Sequence, residues 1–233
     1  INPSINDSLN LKEFEYLRDR LENPFSDVQL MAEKSLFSFY LDKINAIPKN
    51  RMNIHDKYLK YICENFLASL NYNFELIPVN PYDNDIQYFA EGASGNGFFI
   101  FNSKKSYDIF LSKMKILPEI CDSIVKRMRQ GIEQKYTLPK MIANKLLEQF
   151  EVMLSSKSYY NKKASKVFNN KIHTIFSLSI SKIINFLKKE YIPSCKASIG
   201  LCSLPNGKKE YEFIVGSTLT MNGVKIQEIH KYG

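Results

Sequence analysis

The chain has 233 residues, 44% of them hydrophobic and 24% charged, so it can bury a substantial core and does not have the composition of a disordered segment. No run of about 18 apolar residues occurs, which predicts that no helix spans a membrane. The net charge of +8 is uneven: residues 155–209 carry 11 Lys against Glu190 alone, whereas residues 1–154 carry 19 basic and 20 acidic residues.

Apolar residues recur at helical spacing along most of the chain, which predicts an all-α or mainly α fold. The strongest pattern covers residues 166–190 and predicts a central helix that ends at Pro193. We expect a single helical domain over residues 1–233, with a mildly acidic part at 1–154 and a Lys-rich helix plus a terminal segment at 155–233. The other predicted helices cover residues 8–22, 24–48, 54–70, 103–117, 118–131 and 137–154.

Two stretches lack a clear helical period. Residues 79–99 are rich in turn-forming residues and predict one long irregular loop, which in a compact domain is often functional. Asn222-Gly223 predicts either a short hairpin or the start of a short helix that carries Ile226, Ile229 and His230.

The cysteine and histidine spacings are wrong for a zinc site. Cys195 and Cys202 are seven positions apart rather than in a C-x2-C or C-x4-C pair, and neither His173 nor His230 has a ligand partner close in sequence. We therefore predict no metal site within this chain and interpret the cysteines as buried or half-buried thiols. His173 is predicted to lie at the edge of the core with a hydrogen-bond partner.

Other catalytic patterns are missing. The glycines of EGASGNG (91–97) are not followed by GK[ST], and no GxSxG motif occurs. The carboxylates of Asp83, Asp85 and Glu91 share the predicted loop, where solvated carboxylates are common.

A series of short segments runs through the later part of the chain: YIPSCK (191–196), IGL (199–201), LPNG (204–207), Tyr211 and EIHKYG (228–233), preceded by IPVN (77–80), LP (117–118), GI (131–132) and LP (138–139). In these segments the chain resembles the bacterial proteins known as the domain of unknown function 885 family. The resemblance covers most of residues 75–233.

The resemblance implies a largely helical, zinc-metallopeptidase-like fold. In the family, an HExxH-type motif follows the E-I-H segment, so that two His bind zinc and the Glu acts as base. That motif does not occur in this sequence. The chain is therefore expected to be an N-terminal part of such a protein, inactive alone, with zinc expected in the full-length protein.

By the same resemblance, Asn206, Gly207, Tyr211 and His230 are expected to line a cleft for a peptide-like substrate. Tyr and His side chains can hydrogen-bond a substrate carbonyl or carboxylate. The sequence departs from the family pattern at Glu210, where the family has the first Tyr of a Tyr-Tyr pair, and at residues 225–228, where Thr-Pro-Glu-Glu is replaced by Lys-Ile-Gln-Glu.

The alternative function is a non-enzymatic helical module that binds acidic partners through a Lys-rich surface at residues 155–209. All 11 cations there are Lys and none is Arg, which argues against nucleic acid because bidentate phosphate and base contacts need Arg. The start at Ile1 fits a processed chain, and the sequence is compatible with the cytoplasm or with export after removal of a signal. Substrate and oligomeric state stay open.

Overall fold

Helices make up most of this computed structural model, which describes residues 23–82, 84–96, 99–220, 226–229 and 231. The mainly α prediction is confirmed: the described residues contain no strand, and an isolated parallel β-bridge joins Pro139 and Lys196. The helices of ten or more residues are α1 (Asp27–Asn45), α2 (Ile54–Ser69), α3 (Asp85–Ser94), α4 (Lys104–Met114), α5 (Leu117–Glu133), α6 (Lys140–Ser156), α7 (Lys166–Phe186) and α8 (Gly207–Thr218).

Helix α7 is central, as its apolar pattern predicts. Ser165 caps its first turn by accepting a hydrogen bond from the Phe168 backbone N–H. Buried side chains lie along the whole helix and pack against α4, α5 and α6, so that one core is shared by α3 to α7. The buried residues of α7 are Phe168, Ile172, Phe176, Ser179, Ile180, Ile183 and Phe186.

The helical path continues slightly beyond the predicted end at Pro193. A π turn covers Leu187–Tyr191, a last turn covers Ile192–Ser194, and the chain becomes extended at Cys195. Because proline lacks an N–H, a helix that contains one must change its hydrogen bonding locally, and a π turn is one way of doing so. The boundary is thus one residue after Pro193 rather than at it.

The prediction of an irregular loop over residues 79–99 was wrong, because helix α3 occupies Asp85–Ser94 within that stretch. The Asn84 side chain accepts from the Ile86 backbone N–H at 3.1 Å, and Gly95 ends the helix in the left-handed conformation, with φ +86. The Asn and Gly residues that suggested turns are therefore helix caps. Asp85 and Glu91 lie on this helix, whereas Asp83 is outside the described residues.

Helices α1 and α2 pack together, with the rings of Phe37 and Phe66 stacked 4.0 Å apart between centroids. Asp27 accepts from Arg127 of α5 at 2.9 Å and so fixes the start of α1. Much of the apolar surface of α1 is exposed, including Val28 at 79% and Met31 at 69%. The spacing that predicted this helix therefore did not mark a buried face.

The ends of the chain are described in part. The helix predicted over residues 8–22 and the possible hairpin turn at Asn222-Gly223 lie outside the described residues. Residues Ile226–Ile229 form a helical turn, which fits the short-helix alternative. Among the described helices, none has both the length and the apolar character needed to cross a membrane.

Two neighbouring apolar residues of α7 test its packing. Ile180 is fully buried and Leu178 is 68% exposed. We expect Ile180→Ala to lower the free energy of unfolding by about 2–5 kcal/mol, because it leaves a cavity in the shared core. Leu178→Ala should change it by less than about 0.5 kcal/mol. Urea denaturation measures both, and equal losses would contradict the orientation of α7.

Candidate functional site

The segment from Tyr191 to Tyr211 is hydrogen-bonded, near its start, to the turn between α5 and α6. The Lys140 backbone N–H donates to the Lys196 carbonyl at 2.9 Å, and the Lys196 N–H donates to Thr137 Oγ1 at 3.4 Å. The Leu138 N–H donates to the buried Tyr191 hydroxyl oxygen at 2.9 Å. These bonds join two stretches more than 50 positions apart in sequence.

The Lys196 side chain organises the loop that follows it. Its ammonium group donates to the Gly200 carbonyl at 3.1 Å and to Ser203 Oγ at 2.9 Å. The Ser203 hydroxyl in turn donates to the same Gly200 carbonyl at 2.6 Å. Burial lowers the pKa of Lys196, although the nearby Cys202 and Glu210 oppose that shift.

A buried hydrogen bond lies behind the first turn of α8. The Tyr136 hydroxyl donates to Glu210 Oε2 at 2.9 Å, and each residue is only 1% exposed. Burial raises the pKa of Glu210, while the hydrogen bond from Tyr136 and the charge of Lys196 lower it, and the net direction is upward. The pKa of Tyr136 is also raised, chiefly by burial and then by the hydrogen bond to Glu210.

A small apolar cluster surrounds the Tyr136 ring. Leu76 and Leu204 are buried with Tyr136, and this cluster is separate from the main core. Gly131 permits the contact, because a Cβ there would lie 2.6 Å from the Tyr136 carbonyl oxygen and 3.1 Å from that of Leu76. The chain segments around α8 therefore meet at Tyr136.

Asn206 and Gly207, two of the predicted cleft residues, start α8. Asn206 is exposed and left-handed, with φ 60, and its side chain makes no capping hydrogen bond. Gly207 is buried, and a Cβ there would collide with the Leu201 carbonyl group. The structure thus gives Gly207 a packing role, and its predicted substrate contact stays a prediction.

Tyr211 follows one turn later and is 42% exposed. In the part of the chain that the structure describes, no group hydrogen-bonds its hydroxyl. His230, the fourth predicted residue, lies outside the described residues. Asn206, Gly207 and Tyr211 thus lie in one short segment at the start of α8, residues 206–211. We call this segment the braced turn, because the buried Gly207 and Glu210 hold it against the rest of the protein.

The family model described as "Bacterial protein of unknown function (DUF885)" matches residues 6–233. The chain belongs to the DUF885 family. No curated protein matches the chain. Because the family description gives no activity, the peptidase expectation stays a prediction.

Most of the polar network around residues 191–211 could not be predicted from the sequence. No sequence pattern marks Tyr136, and Lys196 is distinguished only by its place in a segment that resembles the family. Glu210 replaces a Tyr of the family pattern, and the structure shows that it lies three residues after the buried Gly207, on the inward face of α8. A carboxylate at such a position needs a buried donor.

Within the described residues, the cysteines and His173 are not grouped as metal ligands. All four cysteines are free, and among the residues described, no three His, Cys, Asp or Glu side chains are grouped to hold a metal ion. Cys195 is half-buried, and burial raises the pKa of its thiol to about 11, whereas Cys202 is exposed rather than buried or half-buried as expected. His173 has the predicted hydrogen bond, to the Tyr159 hydroxyl at 2.8 Å.

A groove of about 1190 Å³ lies between α5 and α7, away from the segment of residues 191–211. Four of its charged side chains form two pairs: Arg129 donates twice to Glu190, both at 2.8 Å, and Lys182 pairs with Asp122. Lys126, Lys189 and Glu133 also line the groove, so charges of both signs are mixed there and neither sign dominates strongly.

The 11 lysines of residues 155–209 do not form one surface. Lys182 and Lys188 form ion pairs with acids on α5 and α6, and Lys196 donates within its own loop. Lys208 and Lys209 lie on α8. Lys189 lies in the π turn after α7. The other exposed lysines with no ion pair in the described chain are near the start of α7, namely Lys157, Lys162, Lys163, Lys166 and Lys171.

The Tyr136–Glu210 hydrogen bond should contribute measurably to stability. We expect Tyr136→Phe to lower the free energy of unfolding by about 1–3 kcal/mol at pH 7, because it leaves a buried carboxylate without its donor. The loss should be smaller in a Glu210→Gln background. Tyr211→Phe is the matched control and should cost less than about 0.5 kcal/mol. Equal losses for the two Tyr variants would contradict the assignment.

The raised pKa of Glu210 also predicts a pH dependence. The folded state holds the Glu210 proton more tightly than the unfolded state, whose pKa is near 4.5. The stabilising contribution of protonated Glu210 to folding is therefore complete below about pH 4.5, and it is lost as the pH rises through the raised pKa of the folded state. Glu210→Gln should gain stability relative to wild type between about pH 4.5 and pH 8, measured by urea denaturation. A constant difference across that range would argue against a raised pKa.

Alanine substitutions at Gly207 and Gly200 test the close contact between the start of α8 and the Leu201 carbonyl group, with Gly200 as the control. Gly207→Ala should cost about 1–3 kcal/mol, since the new methyl group would force the Leu201 carbonyl to move. Gly200→Ala should be tolerated, because φ is −68 there and the nearest atom is the Cys202 sulfur at 3.2 Å. Thermal unfolding of both variants measures the difference, and a tolerated Gly207→Ala would show that the loop is free to shift.

Proposed function

We propose that this chain is the N-terminal, cleft-forming part of a zinc-dependent peptidase-like protein and lacks the metal site itself. The proposal is supported by DUF885 membership over residues 6–233. It is also supported by the resemblance of residues 191–233 to family segments that we expect to precede a metal-binding motif. The observation that carries it is the braced turn, on which Asn206 and Tyr211 remain exposed.

This turn has the properties of a preformed binding element. On its buried side, Glu210 is hydrogen-bonded to Tyr136, and Gly207 packs closely against the Leu201 carbonyl group. The polar ends of Asn206 and Tyr211 make no hydrogen bond to any described group, so they are available to a ligand. Because a rigid support lowers the entropy lost on binding, such groups are well suited to orient a substrate.

The chemical role that we propose for Tyr211 is hydrogen bonding. Its hydroxyl would donate to a carbonyl or carboxylate oxygen of a peptide-like substrate, and a donor that meets developing negative charge lowers the reaction barrier. Asn206 would supply an amide for the substrate backbone. His230 belongs to the same proposal through the family resemblance alone.

The described residues offer no ligand set for zinc, with no group of three suitable side chains. A zinc peptidase needs about three protein ligands and a carboxylate base. We therefore assign no catalytic step to a metal in this chain. In the proposal, the metal ligands belong to a protein extended beyond Gly233.

The proposal predicts activity for the extended protein and none for residues 1–233. We expect chelator-sensitive peptide hydrolysis in the extended protein alone, measured with a peptide library. Tyr211→Phe should lower kcat about tenfold or more while changing the melting temperature little, because it removes one exposed hydroxyl and no packing.

Tyr88→Phe serves as the control for the Tyr211 variant, since Tyr88 is 54% exposed on α3 and is not part of the braced turn. It should leave kcat unchanged. Chelator-sensitive hydrolysis by residues 1–233 would overturn the assignment of this chain as metal-free. An extended protein without an HExxH-type motif would overturn the peptidase proposal.

A further inference from the structure

One end of the helical core carries a cluster of exposed lysines from two helices and a loop. We name it the lysine end, and it consists of Lys104, Lys105, Lys157, Lys162, Lys163 and Lys166. Lys104 and Lys105 are the first two residues of α4, and Lys166 is the first residue of α7. The lysine end therefore differs from the segment 155–209 that the sequence singled out.

Aromatic packing brings the two helix starts together. The Tyr107 ring lies 4.9 Å from that of Phe168 between centroids, and Phe101, just before α4, lies 5.7 Å from Phe168. Tyr107 and Phe168 are in the first turns of α4 and α7. The lysines that precede or begin these helices are consequently neighbours on one surface.

The loop before α7 is fixed by hydrogen bonds. The Asn161 N–H donates to the Asn169 side-chain oxygen at 3.0 Å, and the Asn169 amide donates to the Asn161 carbonyl at 3.0 Å. The buried Asn161 side chain also accepts from the Lys163 N–H at 2.9 Å. These hydrogen bonds thus fix the backbone that carries Lys162 and Lys163.

The lysine end carries an excess of positive charge among the described residues. None of its six lysines forms an ion pair with a described residue, and Asp108 is the one acid in residues 99–111 and 155–171 together. Glu91 of α3 lines the same surface hollow as Ser158, next to Lys157.

The N-terminal ends of α4 and α7 add partial positive charge at this surface, whereas the C-terminal ends of α6 and α3 add partial negative charge, because Lys157 caps α6 and Gly95 lies against Asn161. The helix ends therefore largely offset one another, and the excess of lysines over acids gives the field that favours an anionic partner.

Exposed aliphatic side chains accompany the lysines. Ile100, four residues before Lys104, is 64% exposed, and Val167, next to Lys166, is also 64% exposed. The nearby rings of Phe101, Tyr107 and Phe168 are instead packed against one another, so they are not available to stack on nucleic-acid bases. Cations beside exposed aliphatic groups are typical of surfaces that bind the headgroup region of a lipid bilayer.

We propose that the lysine end binds an anionic lipid surface peripherally, with the lysines contacting phosphate and carboxylate headgroups and Ile100 and Val167 entering the interface. Lysine suits this role as a point charge that needs no bidentate geometry. The inference is independent of the peptidase proposal, and the failure of either leaves the other intact.

Vesicle sedimentation tests this inference with the 233-residue chain. The probes are vesicles of phosphatidylcholine alone and of phosphatidylcholine with about 30% phosphatidylserine, a composition that gives a strongly negative surface. The test variant replaces Lys104, Lys105, Lys162, Lys163 and Lys166 with Gln. The matched control makes the same change at five other exposed lysines: Lys34, Lys49, Lys57, Lys208 and Lys209.

We expect the chain to bind the anionic vesicles and not the neutral ones, and we expect added salt to weaken this binding. The partition coefficient should fall about 30-fold or more in the test variant and less than about threefold in the control, because each cation near the surface contributes independently. Ile100→Ser with Val167→Ser should weaken binding about threefold or more at any salt concentration. Unchanged melting temperatures show that the variants are folded.

Three results would overturn the inference. One is equal partition into neutral and anionic vesicles, or into neither. Another is a control variant that loses as much binding as the test variant, which would show a general effect of net charge. The third is binding of a single-stranded oligonucleotide as tightly as the vesicles with no effect of the Ile100 and Val167 changes, which would show a general polyanion surface.

Discussion

Tyr136 makes three different contacts at the point where separate parts of the chain meet. Its hydroxyl donates to Glu210 of α8, its ring packs with Leu76 and Leu204, and its backbone N–H donates to the Gly131 carbonyl at 2.7 Å. The end of α5, the turn at residues 74–76 and the start of α8 are therefore linked through one residue, α5 by its backbone and the other two by its side chain. Because a buried carboxylate without a donor is costly, this arrangement leaves Glu210 few alternative positions.

The same constraint separates the two faces of α8. Gly207 and Glu210 face inward, and Asn206 and Tyr211 remain exposed at the beginning of the helix. The Lys196 ammonium group donates to both Gly200 and Ser203, and these bonds limit the movement of the chain that leads into the turn. Rigidity and exposure are thus combined in a short segment, which is the physical basis for proposing it as a binding element. The lysine end, built on α4 and α7, is a separate surface that depends on aromatic packing.

Most helices could be predicted from the sequence because their apolar spacing is regular, with α7 as the clearest example. Helix α3 was missed because its Asn and Gly caps are the residues that also form turns. Burial on α1 could not be predicted, since periodicity shows which residues share a face but not whether another element covers it. At the site, the family segments identified Asn206, Gly207 and Tyr211. The partner of Glu210 is 74 positions away and could be found only from the fold.

The Tyr136–Glu210 hydrogen bond should hold the start of α8 in place. Hydrogen–deuterium exchange in wild type and Tyr136→Phe under native conditions measures this. Amides of residues 201–214 should exchange at least about tenfold faster in the variant, while those in the middle of α7 should change much less, because the bond stabilises the segment locally. Equal acceleration in both regions, or none in residues 201–214, would show that the bond does not hold this segment.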